Sequence, residues 1–384
     1  MVAEAELLGV KRLMVVFGTR PEAIKLCPLV LALRLHSREF QTVVCVTAQH
    51  REMLDQVLQV FGVVPDRDLD LMTPRQSLPE ITSRALQQTA EVIGETRPDL
   101  VIVQGDTATT FAASLAGYYQ RTPVAHVEAG LRTGDKYSPF PEELCRKLTG
   151  AIADLHFAAT PRNRDNLLAE GVAADRILVT GNTVIDALLW VRNKVRSSKA
   201  SYAELRDVDV AKRLVLVTGH RRENFGSPLV DICTALKRLA ERNPDIEIVY
   251  PVHRNPNVMS PVQRILSGLP NVKLIDPLPY EAFVYLMDKC YCIISDSGGV
   301  QEEAPSLGKP VLVTREITER QEAVEAGTAT LVGSRPEAII AETERLLNDG
   351  DAYARFAQMT NPFGDGHASE RIIEGFARFF AARR

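Results

Sequence analysis

Short apolar runs closed by turn residues alternate with longer amphipathic stretches along almost the whole chain, and this alternation limits the fold more than any other feature. Leu13–Phe17, Thr42–Val46, Leu100–Val103, Val124–Val127 and Leu155–Ala158 read as strands with helical patterns between them. Runs that are apolar at nearly every position fit strands buried on both faces, and strand–helix alternation gives a parallel sheet covered by helices. A second series follows: Leu214–Val217, Ile246–Tyr250, Val272–Ile275, Cys292–Ile294 and Val311–Val313. The chain therefore reads as two similar α/β halves. Its 384 residues exceed the ~100–200 of a single domain, which agrees with two. The stretch from Asn182 to Lys212 holds a helical pattern and then the polar segment RSSKASYAELRDVD, with the composition of an interdomain connection. From Ser369 to Phe380, apolar residues recur at helical spacing and predict an amphipathic terminal helix.

Composition narrows the ligand class. A formal net charge of -4 gives no long-range field for nucleic acid or an anionic membrane, so an anionic ligand must meet a local basic cluster. The six cysteines, Cys27, Cys45, Cys145, Cys233, Cys290 and Cys292, lie in apolar stretches without paired ligand spacing and read as buried thiols. The opening MVAEAELLGVKRLMVVFG has no positive leader region or small-residue cleavage site, and no apolar stretch approaches the ~20 residues needed to span a bilayer. A cytoplasmic protein is expected.

In open α/β sheets, ligands collect at the carboxyl ends of the strands, and the polar clusters of this chain fall there. Gly18-Thr19-Arg20-Pro21-Glu22 follows the first strand, with Pro21 where a helix begins, and Arg20 and Lys25 supply positive potential for a phosphate. Asp106 follows LVIVQG, Glu128 ends the strand at Val124, and Glu142 and Glu143 open a helix after YSPFP. Single glutamates at helix starts often only satisfy the dipole. Three carboxylate stations at one sheet edge repel unless cations or shared protons offset them, and they suit acid and base work. In the second half, His220-Arg221-Arg222 and His253-Arg254 follow its first two strands and point to an anion site. Ser297-Gly298-Gly299 after the strand at Cys292–Ile294 lets backbone approach a diphosphate at a helix start, and Glu303, a turn later, fits the ribose hydroxyls.

Several signatures are missing. No Gly-x-Gly-x-x-Gly fingerprint seats a tightly bound nicotinamide, and no Walker A, His-Glu-x-x-His or Cys-x-x-Cys sequence is present. These residues predict chemistry by acids, bases and electrostatics, with no cofactor and no metal.

The ordered blocks FGTRPEAIK, TAQHREMLDQV, QGDTATT, HVEAGLRTGD, PFPEE, GNTVIDAL, TGHRREN, YPVHRNPNV and SDSGGVQEEAPSLGKPVL, spanning Phe17 to Leu312, resemble those of the non-hydrolysing UDP-N-acetylglucosamine 2-epimerases. The resemblance implies a glycosyltransferase-B-like α/β fold: two Rossmann-like doubly wound domains, residues 1–180 with a returning helix at 367–384 and residues 181–366, with the active-site cleft between them. It implies interconversion of UDP-N-acetylglucosamine and UDP-N-acetylmannosamine for surface polysaccharide precursors. Because the hydrogen on carbon 2 has no adjacent carbonyl, the family route eliminates UDP to 2-acetamidoglucal and re-adds it on the other face. By their places in the blocks, Asp106, Glu128 and Glu142 are the expected acid and base groups, without assignment to a face, and His220 serves the diphosphate side. Arg20, Lys25, Phe283, Ser297, Gly298, Gly299 and Glu303 are expected to hold UDP. Gln49, Arg75, Arg221 and His253 lie in blocks associated with a second, activating UDP-N-acetylglucosamine. A homodimer is expected, and beside the resemblance four alternatives stay open: a modified UDP-sugar, a hydrolysing variant of the reaction, a retaining glycosyltransferase on the same fold and a catalytically silent UDP-sugar sensor.

Overall fold

A computed structural model describes residues 9–48, 51–73, 76–198 and 202–383. The chain divides into two compact units, residues 1–187 with 363–384 and residues 188–362.

The first unit is built from β1 (Lys11–Phe17), α1 (Arg20–Leu35), β2 (Phe40–Val46), α2 (Arg51–Phe61), β3 (Arg67–Asp68), α3 (Leu78–Thr96), β4 (Leu100–Gln104), α4 (Ala108–Tyr119), β5 (Val124–Ala129), α5 (Glu142–Ile152), β6 (Leu155–Ala158), α6 (Pro161–Ala169) and β7 (Ile177–Val179). Its seven strands lie in the order β3-β2-β1-β4-β5-β6-β7, and every pairing is parallel. β1 continues into β2 on one side and β4 on the other, the reversal of strand order at which α/β proteins place ligands. Leu13 to Phe17 and Leu100 to Val103 are almost wholly buried, as central strands covered on both faces must be.

α7 (Thr183–Ser197) contains the changeover between units, at Ala187–Leu188. The second unit continues with β8 (Arg213–Thr218), α8 (Ser227–Arg242), β9 (Ile246–Pro251), α9 (Pro256–Leu266), β10 (Val272–Ile275), α10 (Tyr280–Lys289), β11 (Cys292–Ser295), α11 (Gly298–Glu303), β12 (Val311–Val313), α12 (Gln321–Glu325), β13 (Ala329–Leu331), α13 (Pro336–Asn348) and α14 (Gly350–Ala357). Its sheet, again parallel, runs β10-β9-β8-β11-β12-β13 and repeats the same reversal beside its first strand. Part of the predicted linker, residues 199–201, lies outside the described residues.

α15 (Ala368–Ala381) belongs to the first unit. Phe376 meets the edges of Phe157 at 5.3 Å and Phe40 at 6.4 Å between ring centroids, so the apolar stripe read from the sequence covers that sheet. Its first turn is tied down by Asp186, whose carboxylate accepts from the amides of Ala368 at 3.2 Å and Ser369 at 2.7 Å. β3, β7 and β13 have no counterpart among the predicted strands. At two or three residues each, on sheet edges, they are too short to leave a periodic signal.

Candidate active site

The turn between β1 and α1 begins at Gly18, where a Cβ would stand 1.9 Å from Thr47 Oγ1 and 2.8 Å from Thr109 Oγ1. Only glycine lets this loop pack on its neighbours. Thr19 stands at the N-cap position of α1, and Glu22 supplies the reaching-back half of a capping box: its Oε2 accepts from the amides of Gly18 at 3.0 Å and Thr19 at 2.8 Å. Oε1 of the same carboxylate accepts from Thr107 Oγ1 at 2.6 Å and Thr110 Oγ1 at 3.0 Å, joining this turn to the start of α4. Burial lifts the Glu22 pKa above the usual carboxylate value, against the opposing hydrogen bonds from Thr107, Gly18 and Thr19. Arg20, first residue of α1, is half-buried beside this turn.

Lys25, one turn further along α1, places its ammonium 2.6 Å from both oxygens of Glu128. Glu128 stands at a register shift in β5 with φ +59°, a left-handed conformation uncommon for a residue with a side chain. Its carboxylate also accepts from Gln104 Nε2 at the end of β4 and from Asn182 Nδ2 at 2.9 Å, just before α7. Three groups from separate stretches of chain, on α1, at the end of β4 and just before α7, thus converge on one carboxylate.

Asp106 follows Gly105 at the next strand end, and Oδ2 accepts from Arg146 Nη2 of α5. The buried Arg146 also donates to Glu143 Oε2 at 2.9 Å, while Glu143 accepts from the amides of Thr133 and Gly134, both at 3.2 Å. Glu142, one turn before Arg146, has a buried oxygen, Oε2, with no hydrogen-bond partner. Such an oxygen is costly to desolvate unless it meets a proton or a polar ligand atom. His126, fully buried in β5, bonds through Nε2 to the Gly105 carbonyl at 2.7 Å and so steadies the turn that carries Asp106. Burial pushes the His126 pKa down to about 3 and that of neighbouring His156 down to about 4, so both rings are neutral near pH 7. Lys25 and Arg146 are the cations that the clustered carboxylates require.

In the second unit, the turn after β8 carries His220 and Arg221, and a fully buried carboxylate, Asp296, holds it. Asp296 accepts from the His220 amide at 3.0 Å, the Arg221 amide at 2.9 Å and Asn224 Nδ2 at 3.2 Å. The imidazole of His220 stacks on that of His253, with centroids 5.7 Å apart and planes at 17°. Burial draws the His220 imidazolium below its ordinary pKa; Asp296 opposes this, and Arg221 and His253 add to it. Ser297 immediately precedes α11, and a Cβ on Gly298 would lie 3.1–3.3 Å from the Arg320 guanidinium, so the missing side chain permits that approach. Glu303 Oε1 accepts from the Tyr280 hydroxyl at 3.1 Å, and Phe283 is half-buried on α10. Gln49 and Arg75 lie outside the described residues.

Glu22, Gln104, Arg146, Asn182 and Asp296 were not singled out from the sequence. Glu22 had a signal in its Thr-x-x-Glu capping spacing; the others act through partners far away in the chain. Among the described residues, no group of three or more His, Cys, Asp or Glu could hold a metal ion.

Two Rossmann-like units with polar clusters at their strand ends define an α/β protein of glycosyltransferase-B-like build. A glycosyltransferase of kitacinnamycin, 14% identical, shares this fold with a TM-score of 0.63 over 96% of this chain and 100% of that one. The model of the UDP-N-acetylglucosamine 2-epimerase family matches residues 33–377. The chain is 57% identical over 367 residues to the UDP-N-acetylglucosamine 2-epimerase of Escherichia coli K12, covering 94% of this chain and 97% of that protein. The Neisseria meningitidis UDP-GlcNAc 2-epimerase, solved bound to UDP-GlcNAc, superposes with a TM-score of 0.88 at 48% identity, over 96% of this chain and 100% of that one. This chain belongs to the UDP-N-acetylglucosamine 2-epimerase family.

Proposed function

We propose that this protein interconverts UDP-N-acetylglucosamine and UDP-N-acetylmannosamine by eliminating UDP to 2-acetamidoglucal and adding it back on the opposite face. Removing a carbon-2 proton that no carbonyl acidifies needs a base together with a stabilised leaving group, and the return needs an acid on the other face. The arrangement at Glu128 carries the reading: a carboxylate in a left-handed conformation, gripped by Lys25, Gln104 and Asn182. A partner-poor carboxylate, Glu142, and a guanidinium-paired one, Asp106, belong to the same unit. Asp106, Glu128 and Glu142 handle the protons. His220 serves the diphosphate side, while Arg20, Lys25, Phe283, Ser297, Gly298, Gly299 and Glu303 hold UDP. On this reading Lys25 steadies Glu128 and adds positive potential for the nucleotide.

Incubation with UDP-N-acetylglucosamine in deuterated water, followed by NMR, tests the route. Deuterium should appear at carbon 2 of sugar still joined to UDP; unlabelled product, or free N-acetylmannosamine, discards it. Run from UDP-N-acetylmannosamine alone, the same assay tests activation by a second UDP-N-acetylglucosamine through Gln49, Arg75, Arg221 and His253. Full initial rate with no stimulation removes that part. The reading extends to a cytoplasmic homodimer supplying surface polysaccharide precursors, and light scattering that gave the mass of one chain would remove the dimer.

A further inference from the structure

Asp296 is completely buried, yet among the described residues no lysine or arginine side chain pairs with it. Its contacts all lead to the turn after β8. The carboxylate accepts from the amides of His220 and Arg221 and from Asn224 Nδ2, and Asn224 in turn donates to the Thr314 carbonyl at 3.1 Å. On the other side, the Tyr250 hydroxyl donates to the Gly219 carbonyl at 3.2 Å, so the turn is held from two strands. His220 Nδ1 faces Asp296 Oδ1 at 3.7 Å, and the face of the ring lies against His253.

A neutral side chain could accept those amide hydrogens equally well. What only a carboxylate adds is a negative charge facing Nδ1, and that charge favours a proton there. We propose that Asp296 is the positioning residue for His220, holding its turn and keeping the proton on Nδ1 so that Nε2 is the nitrogen offered to the ligand. The logic matches a carboxylate behind a catalytic imidazole, where the partner fixes tautomer and orientation without itself exchanging protons. This inference rests on the reading that His220 acts on the diphosphate side. The other groups facing the ring, Arg221 on the same turn and His253 after β9, both disfavour the imidazolium, leaving Asp296 as the opposing charge.

Nitrogen-15 NMR of the wild-type protein reads the tautomer directly. Neutral His220 should carry its proton on Nδ1, and a dominant Nε2–H form overturns the proposal. Asp296→Asn keeps an acceptor for the amides but removes the charge. It should lower the His220 pKa and reduce kcat by about 10–100-fold, the scale for lost supporting partners, with UDP affinity little changed. In a His220→Asn background the same substitution should cost less than about twofold more, since residues acting as a unit are not additive. An equal loss in both backgrounds makes Asp296 merely structural and sinks the proposal. If His220→Asn alone turns over normally, the role given to His220 fails instead, while the wild-type tautomer still judges Asp296. The tautomer also decides the matter should Asp296→Asn not fold.

Discussion

A residue with a side chain in the left-handed region costs roughly 1–2 kcal/mol, and Glu128 adopts it while three donors grip its carboxylate. Strain of this kind persists only where surrounding contacts over-determine the conformation. Asp106 and Glu142 differ in their surroundings, one bonded to a guanidinium and the other with a buried oxygen left open. Unlike surroundings suit groups with unlike proton tasks. Asp106→Asn, Glu128→Gln and Glu142→Gln should each lower kcat by about 10²–10⁴-fold, while UDP still binds by calorimetry. Near-native rates in all three would remove them from the mechanism. These carboxylates were legible in the sequence because each directly follows an apolar run or opens a helix. Their partners were not: Lys25 and Glu128 are 103 residues apart, and Arg146 and Asp106 are 40 apart. Nothing in either local sequence names the other.

At the scale of elements, the turns that follow β1 and β4 act as one assembly. Glu22 bonds the amides of its own turn and the hydroxyls of Thr107 and Thr110, and Gly18 leaves the space in which Thr47 and Thr109 meet at 2.9 Å. Gly18→Ala would drive a methyl group into that contact. A loss of about 1–3 kcal/mol is expected, as for other overpacked positions, read from urea unfolding with the slope unchanged; stability equal to wild type would mean the turn can yield. Central strands and the terminal helix were legible from period and apolarity. The short edge strands were not, because two or three residues take their conformation from a neighbouring strand rather than from their own pattern.

For the molecule as a whole, acid should be destabilising through His126 and His156. Their folded pKa values, about 3 and about 4, lie below the ~6.5 of an unfolded histidine. The unfolded chain therefore binds protons that the folded chain refuses. Stability is full above pH ~6.5 and falls as the pH drops towards those folded values, by up to about 1.4 kcal/mol per pH unit for each ring. Urea unfolding between pH 7.5 and pH 4.5 should follow that slope, and His156→Gln should remove part of it; an unaltered slope would reassign the effect to other groups. The sequence by itself determined the α/β alternation, the division into two similar halves and the strand ends that carry the carboxylates, because each depends on residues close together in the chain. Tertiary structure alone decided that Lys25 meets Glu128, that Arg146 meets Asp106, that Asp296 lies beneath His220 and that two histidines are buried without charge. Parallel strands are joined by crossovers, so neighbours in a sheet come from distant stretches of chain. Charge interactions and desolvation depend on distance and burial, which only the assembled sheet sets.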